Sequence, residues 1–139
     1  MMSTIAVIVP FYNEEKFLRK SVKRLIDEKI FKQIILVDDC SNDSSLKIAY
    51  QLASECKFIT LIENIEQKGK GYCIKQGLNI VETSHVIVHD ADLEYFPSDI
   101  VEMFEVAKDK DNTLVLGSRT IGTKERINLY KRNYIVQRI

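Results

Sequence analysis

Apolar positions along the chain follow two alternating rhythms. Ile5-Ala-Val-Ile-Val9 is a continuous apolar run, the pattern of a strand covered on both faces. Pro10 is expected to stop it, because proline cannot donate to a central ladder. Leu18, Val22, Leu25 and Ile26 then recur at helical spacing. Asn13 is the expected N-cap of that helix, with Glu14 and Glu15 in a first turn whose dipole favours negative charge. A second strand is predicted from Gln33 to Asp38. It is followed by a helix capped by Asp43 or Ser44 that carries Leu46, Ala49, Tyr50 and Ala53. Phe58 to Ile62 reads as a third strand and Gly71 to Val81 as a helix, with Ile74, Gly77, Leu78 and Val81 on one side. His85 to His89 is the fourth strand. Ser98 caps the next helix, which carries Val101, Phe104 and Ala107. Thr113 to Leu116 is expected as a fifth strand and Asn128 to Ile139 as a final helix.

Strict alternation of strands and helices argues for an α/β fold: a Rossmann-like, doubly wound, mostly parallel sheet with helices on both faces and right-handed crossovers. The 139 residues fit one domain, residues 1–139, with a basic loop and terminal helix over 120–139. In such sheets ligands bind beyond the carboxyl ends of the strands. The polar clusters fall there: Pro10-Phe-Tyr-Asn-Glu14, Asp38-Asp-Cys-Ser-Asn-Asp43 and Asp90-Ala-Asp92. Three such loops at one sheet edge are poorly explained as surface decoration.

Composition narrows the picture. Lysine plus arginine and aspartate plus glutamate both number 20, so no global field attracts nucleic acid. The charge is uneven, however: Arg119, Lys124, Arg126, Lys131, Arg132 and Arg138 face a single acid, Glu125, in the C-terminal stretch. That stretch reads as a solvated helix face, or as a grip on phosphate or an anionic membrane surface. Cys40, Cys56 and Cys73 are odd in number and lack metal-ligand spacing, as in reduced thiols of a cytoplasmic protein. The short apolar run at the N-terminus has no basic leader, so it is not read as a signal peptide. No segment reaches the length of a membrane span, so any membrane contact is expected to be peripheral.

Asp90-Ala91-Asp92 carries the clearest chemistry. It follows Val86-Ile87-Val88, and residues two apart in an extended segment point the same way. Two like charges so placed are costly unless a cation neutralises them. Hard carboxylate oxygens suit Mg²⁺ or Mn²⁺ held against a diphosphate. Glu94 extends the acidic ladder, whereas His85 and His89 read as strand residues. Asp38-Asp39 closes the second strand, where a carboxylate is placed to accept from ribose hydroxyls or a base N–H, although helix capping by Asp39, Ser41 or Asp43 competes. Lys68-Gly-Lys-Gly71 opens a helix and reads as an anion approach or as a solvated turn. Arg119, in Gly117-Ser-Arg119, is either a phosphate or sugar contact or an exposed arginine.

Together these segments resemble the family-2 glycosyltransferases of the GT-A fold. The likeness rests on Ile8-Val-Pro-Phe-Tyr-Asn-Glu14, Ile35-Leu-Val-Asp-Asp-Cys-Ser-Asn-Asp43, Lys68-Gly-Lys-Gly71 and Asp90-Ala-Asp-Leu-Glu-Tyr95. Asp-Ala-Asp-Leu followed by a proline, and Gly117-Ser-Arg119, lean toward the polyprenyl-phosphate hexose synthase branch. The resemblance implies a metal-dependent, inverting transfer of a hexose from a nucleotide-sugar to an acceptor, lipid phosphate or glycan. A UDP-glucose-like donor is the first expectation and GDP-mannose the second.

It also implies roles. Pro10, Tyr12, Glu14 and Asp39 would hold the nucleoside, with Lys70 near the nucleotide. Asp90, Ala91 and Asp92 would meet the donor, and Asp92, Asp90 and Glu94 would ligate Mg²⁺ or Mn²⁺. Arg119 would face the donor phosphates or the acceptor. No catalytic base is identified. The chain stops at Ile139, where family members continue with an acceptor-binding half. The competing expectation is therefore a nucleotide-sugar-binding module with little or no transferase activity. Leu129, Tyr130, Tyr134 and Val136 lie among basic residues, so the last helix is expected to pack against a second copy of the chain.

Overall fold

The structure, a computed structural model, describes residues 2–115. Strands and helices alternate: β1 (Ile5–Phe11), α1 (Leu18–Asp27), β2 (Phe31–Asp38), α2 (Ser45–Glu55), β3 (Ile59–Glu63), α3 (Lys70–Leu78), β4 (His85–Val88) and α4 (Pro97–Ala107). The strands form one parallel sheet in the order β3-β2-β1-β4. The sheet bears helices on both faces, as expected from the sequence. On one face Val7, Val9, Phe11, Ile34 and Leu36 pack with Leu18, Val22 and Leu25 of α1, Ala49 and Leu52 of α2, and Ile100 of α4. On the other, Ile8, Ile35 and Val37 pack with Cys73 of α3. The odd and even residues of β1 thus enter different cores, which is why its run is apolar without a break. Gly77 lets α3 lie close to the sheet: a Cβ there would sit 2.7 Å from Cγ2 of the fully buried Ile8.

Several local expectations are corrected. Pro10 does not stop β1 but lies inside it, opposite Val37. The Phe11 carbonyl accepts from Asp39 N–H on the β2 side, and the Ile8 carbonyl accepts from His89 N–H on the β4 side. Pro10, an even position, therefore directs its hydrogen-free nitrogen toward β4, beyond the last β1–β4 pair at Ile8 and Val88. Asn13 does not cap α1, nor do Glu14 and Glu15 form its first turn. The helix starts at Leu18, after a turn in which the Glu14 carbonyl accepts from the Phe17 and Leu18 amides. Ser98 lies inside α4, which begins at Pro97 with Phe96 as N-cap. The side chain of Ser44, the N-cap of α2, makes no capping bond; the Asp43 carboxylate takes the Ser45 amide instead. β2 begins earlier than expected, at Phe31. β3 is shifted by one residue, α3 starts at Lys70 and ends at Leu78, and β4 ends at Val88. Residues 113–115 form no strand, and Leu116 lies outside the described residues. So do Gly117-Ser-Arg119, the basic stretch and the final helix with its expected self-association.

Candidate functional site: an acidic cleft at the carboxyl edge of the sheet

The loops after β1, β2, β3 and β4 gather at one edge of the sheet. β1 contributes Pro10, Phe11, Tyr12 and Glu14 to a cleft there, and Asp39 enters from the end of β2. Lys70 and Cys73 come from α3, and Asp90, Ala91 and Asp92 from the segment after β4. Eight of the expected donor-site residues therefore line one cavity of about 220 Å³. Arg119 lies outside the described residues. Glu94 is not part of the lining; its amide donates to Asp92 Oδ1 at 3.0 Å.

The loops after β1 and β2 are stapled together, which fixes Tyr12 and Glu14. Asn13 takes a left-handed backbone with φ of 51°, a conformation that asparagine tolerates better than most residues. Its amide donates to Ser41 Oγ at 3.0 Å, and its side-chain oxygen accepts from the Asn42 amide at 2.9 Å. The Glu14 amide donates to Ser45 Oγ at 2.7 Å and the Glu15 amide to Asp43 Oδ2 at 3.2 Å. The Glu15 carboxylate in turn accepts from the Ser44 amide at 2.9 Å. Burial pushes the Asp43 carboxyl up, but the bonds from Ser45 and Glu15 outweigh it and hold it below the ordinary range.

Asp39 is buried and held by three hydrogen bonds from its own protein. Oδ1 accepts from the Lys68 amide at 2.8 Å and from Asn64 Nδ2 at 3.2 Å, and Oδ2 accepts from the Gly69 amide at 2.9 Å. Burial raises its pKa, but the two amides and Asn64 more than compensate, so the carboxyl lies below its usual range. Gly69 can make this bond because it takes φ of 93°, open to glycine and strained for other residues. The Lys68-Gly-Lys-Gly71 segment is thus a loop tied to Asp39 that delivers Lys70 to the first position of α3.

The other acids face one another. The ordinary pKa of Glu14 is raised by its burial and by the charges of Asp92, Asp43 and Asp90. Lys70 Nζ contacts Asp90 Oδ1, and lysine appears at no other position in the lining. Four carboxylates therefore share the cleft with one ammonium. Crowded hard oxygens of this kind fit Mg²⁺ or Mn²⁺. Among the described residues no three or more His, Cys, Asp or Glu side chains converge on a metal by themselves. Two carboxylates leave coordination positions open, which suits an ion that arrives bound to phosphate oxygens and water. His89, just before the acidic pair, is buried, and that burial holds its imidazole below the ordinary pKa, uncharged, as a strand-end residue.

Sequence reasoning missed two contributors. Asn64 follows β3 at the same sheet edge as the other polar loops, a placement that could have flagged it; its amide donates to the Asp38 carbonyl at 2.9 Å. Cys73 lies one helical turn after Lys70 and forms part of the cleft floor. Burial raises its thiol pKa to about 11, so it stays protonated.

The family model Glycosyl transferase family 2 matches residues 6–137, and the chain belongs to that family. Among its relatives, the undecaprenyl-phosphate 4-deoxy-4-formamido-L-arabinose transferase of Proteus mirabilis is 32% identical over 133 residues, covering 90% of this chain and 38% of the relative. The dolichol-phosphate mannosyltransferase of Pyrococcus furiosus is 27% identical over 132 residues, covering 92% of this chain and 37% of the relative. The fold matches a mannosyltransferase from Pyrobaculum calidifontis in complex with GDP-Man and Mn²⁺, with a TM-score of 0.61 and 24% identity over 66% of this chain and 28% of that one. The expected GT-A fold is borne out. The chain spans about half or less of the length of the curated relatives it matches.

Proposed function

We propose that the acidic cleft is the donor site of a metal-dependent, inverting glycosyltransferase that takes a hexose from a nucleotide-sugar. The observation that carries this reading is the convergence of four chain segments on one cleft whose charged lining residues are four carboxylates and one lysine. Pro10, Tyr12 and Asp39 hold the nucleoside. Glu14, in the same lining, joins them. Asp92 and Asp90 ligate Mg²⁺ or Mn²⁺, and Glu94, outside the lining, is the weakest member of the ladder. The ion, when bound, supplies positive charge to the departing nucleoside diphosphate. Lys70, at the first position of α3, adds its own charge at a helix N-terminus that already attracts anions.

A UDP-hexose is the first donor and GDP-mannose the second. The acceptor is a lipid phosphate, in keeping with the polyprenyl-phosphate substrates named in two relatives. An anionic phosphate acceptor also reduces the need for a catalytic base, none of which is assigned among the described residues. Among those residues no helix is long and apolar enough to cross a membrane. Incubating the protein with UDP-glucose or GDP-mannose, Mn²⁺ and a polyprenyl phosphate tests this directly. Sugar transfer to the lipid is expected. Tight donor binding without turnover would favour the binding-module reading instead.

A further inference from the structure

We infer that Lys70 makes the cleft selective for a divalent ion already carried by a diphosphate, over the same ion free in solution. This rests on the donor-site reading above. Lys70 Nζ contacts Asp90 Oδ1, so in the ligand-free chain one of the three expected metal ligands already has a cation. A free ion must displace that ammonium and leave it among its own charge. An ion bound to a diphosphate brings an acceptor for the ammonium, so Asp90 is surrendered without leaving Lys70 unpaired.

The backbone is built for this exchange. Gly69, immediately before Lys70, is fastened through its amide to the buried Asp39 at 2.9 Å, so the base of the lysine side chain is fixed. The side chain itself is 56% exposed. Asp92 is arranged differently: its Oδ1 takes the Glu94 amide at 3.0 Å, and no ammonium contacts it among the described residues. One acid of the pair is thus open and the other is guarded. The guard is the one basic side chain lining the cleft among the described residues.

The test compares wild type with Lys70→Met and Lys70→Arg. Binding of Mn²⁺ alone is read from the paramagnetic resonance of the free ion, and binding of UDP and of GDP in saturating Mn²⁺ by calorimetry. Lys70→Met should bind Mn²⁺ alone about fivefold more tightly, the scale of one partly screened charge contact. It should bind the better of the two nucleotides about tenfold more weakly in Mn²⁺. Lys70→Arg should keep both values near wild type. Unchanged or weaker binding of Mn²⁺ alone in Lys70→Met would overturn the inference while leaving the donor site intact. Tighter Mn²⁺ with undiminished nucleotide binding would also overturn it, since the ammonium would then be a competitor and nothing more. A wild type that binds neither UDP nor GDP in Mn²⁺ would overturn the donor-site reading and this inference with it.

Discussion

The ends of β2 and β4 flank that of β1, and both lead into acids, but the chain treats the two ends in opposite ways. Asp39 accepts three hydrogen bonds from its own protein and is buried. Asp90 and Asp92 share a cleft with Glu14, whose pKa is raised first by burial and then by the neighbouring carboxylates, and Lys70 contacts Asp90. Charge that a protein needs for its own structure is satisfied internally; charge left crowded is stability forgone for a ligand. The first kind of acid should therefore register in folding and the second in binding.

The largest expected effect is on binding. Asp92→Ala should abolish metal-dependent binding of nucleotide in calorimetric titrations while leaving the melting temperature close to wild type. An equal loss of stability would place Asp92 with Asp39 in the structural class.

Asp39→Ala should show the reverse balance. It strands two backbone amides and the Asn64 side chain, and should cost about 2–4 kcal/mol in denaturant unfolding. It should weaken nucleotide binding with or without metal. Its pH signature follows from the depressed folded-state pKa. The contribution of Asp39 is complete above the ordinary carboxylate range of about 4 and is lost as pH falls through the lower folded value. The wild type should lose this stability on acidification, and Asp39→Asn should lose less of it.

Gly77→Ala lies outside both sites and calibrates the comparison. Its methyl group would meet buried Ile8 at 2.7 Å, so overpacking should cost about 1–3 kcal/mol of folding stability. The smallest effect is expected at Glu14. Its folded-state pKa is raised, so its charged form opposes folding above that value, and the opposition fades as pH falls from there to the ordinary carboxylate value, below which it is gone. Glu14→Gln should raise the melting temperature slightly at neutral pH and leave it unchanged in acid, although nucleotide binding falls.

Much of the fold and the position of the cleft was legible in the sequence. The unbroken run Ile5–Val9 and the helical spacing of Leu18, Val22 and Leu25 announced a sheet covered on both faces. Loop chemistry at strand ends located the cleft. What was hidden is non-local. Asn13, Glu14 and Glu15 look like a helix start but spend their backbone and side-chain bonds on residues 41–45, so α1 begins only at Leu18. Pro10 reads as a strand stop until its register shows that its nitrogen points past the end of β4. Asp39 carries the same letter as Asp92, and no local pattern reveals that amides 29 and 30 residues later bind it.

The most direct test of the central claim is titration of the wild-type chain with UDP, and with GDP, first in Mn²⁺ and then in excess chelator. An ion bridging the acids after β4 to a diphosphate predicts that binding in Mn²⁺ falls by at least about tenfold when the ion is removed. Equal affinity in chelator would mean that no metal links nucleotide to those acids.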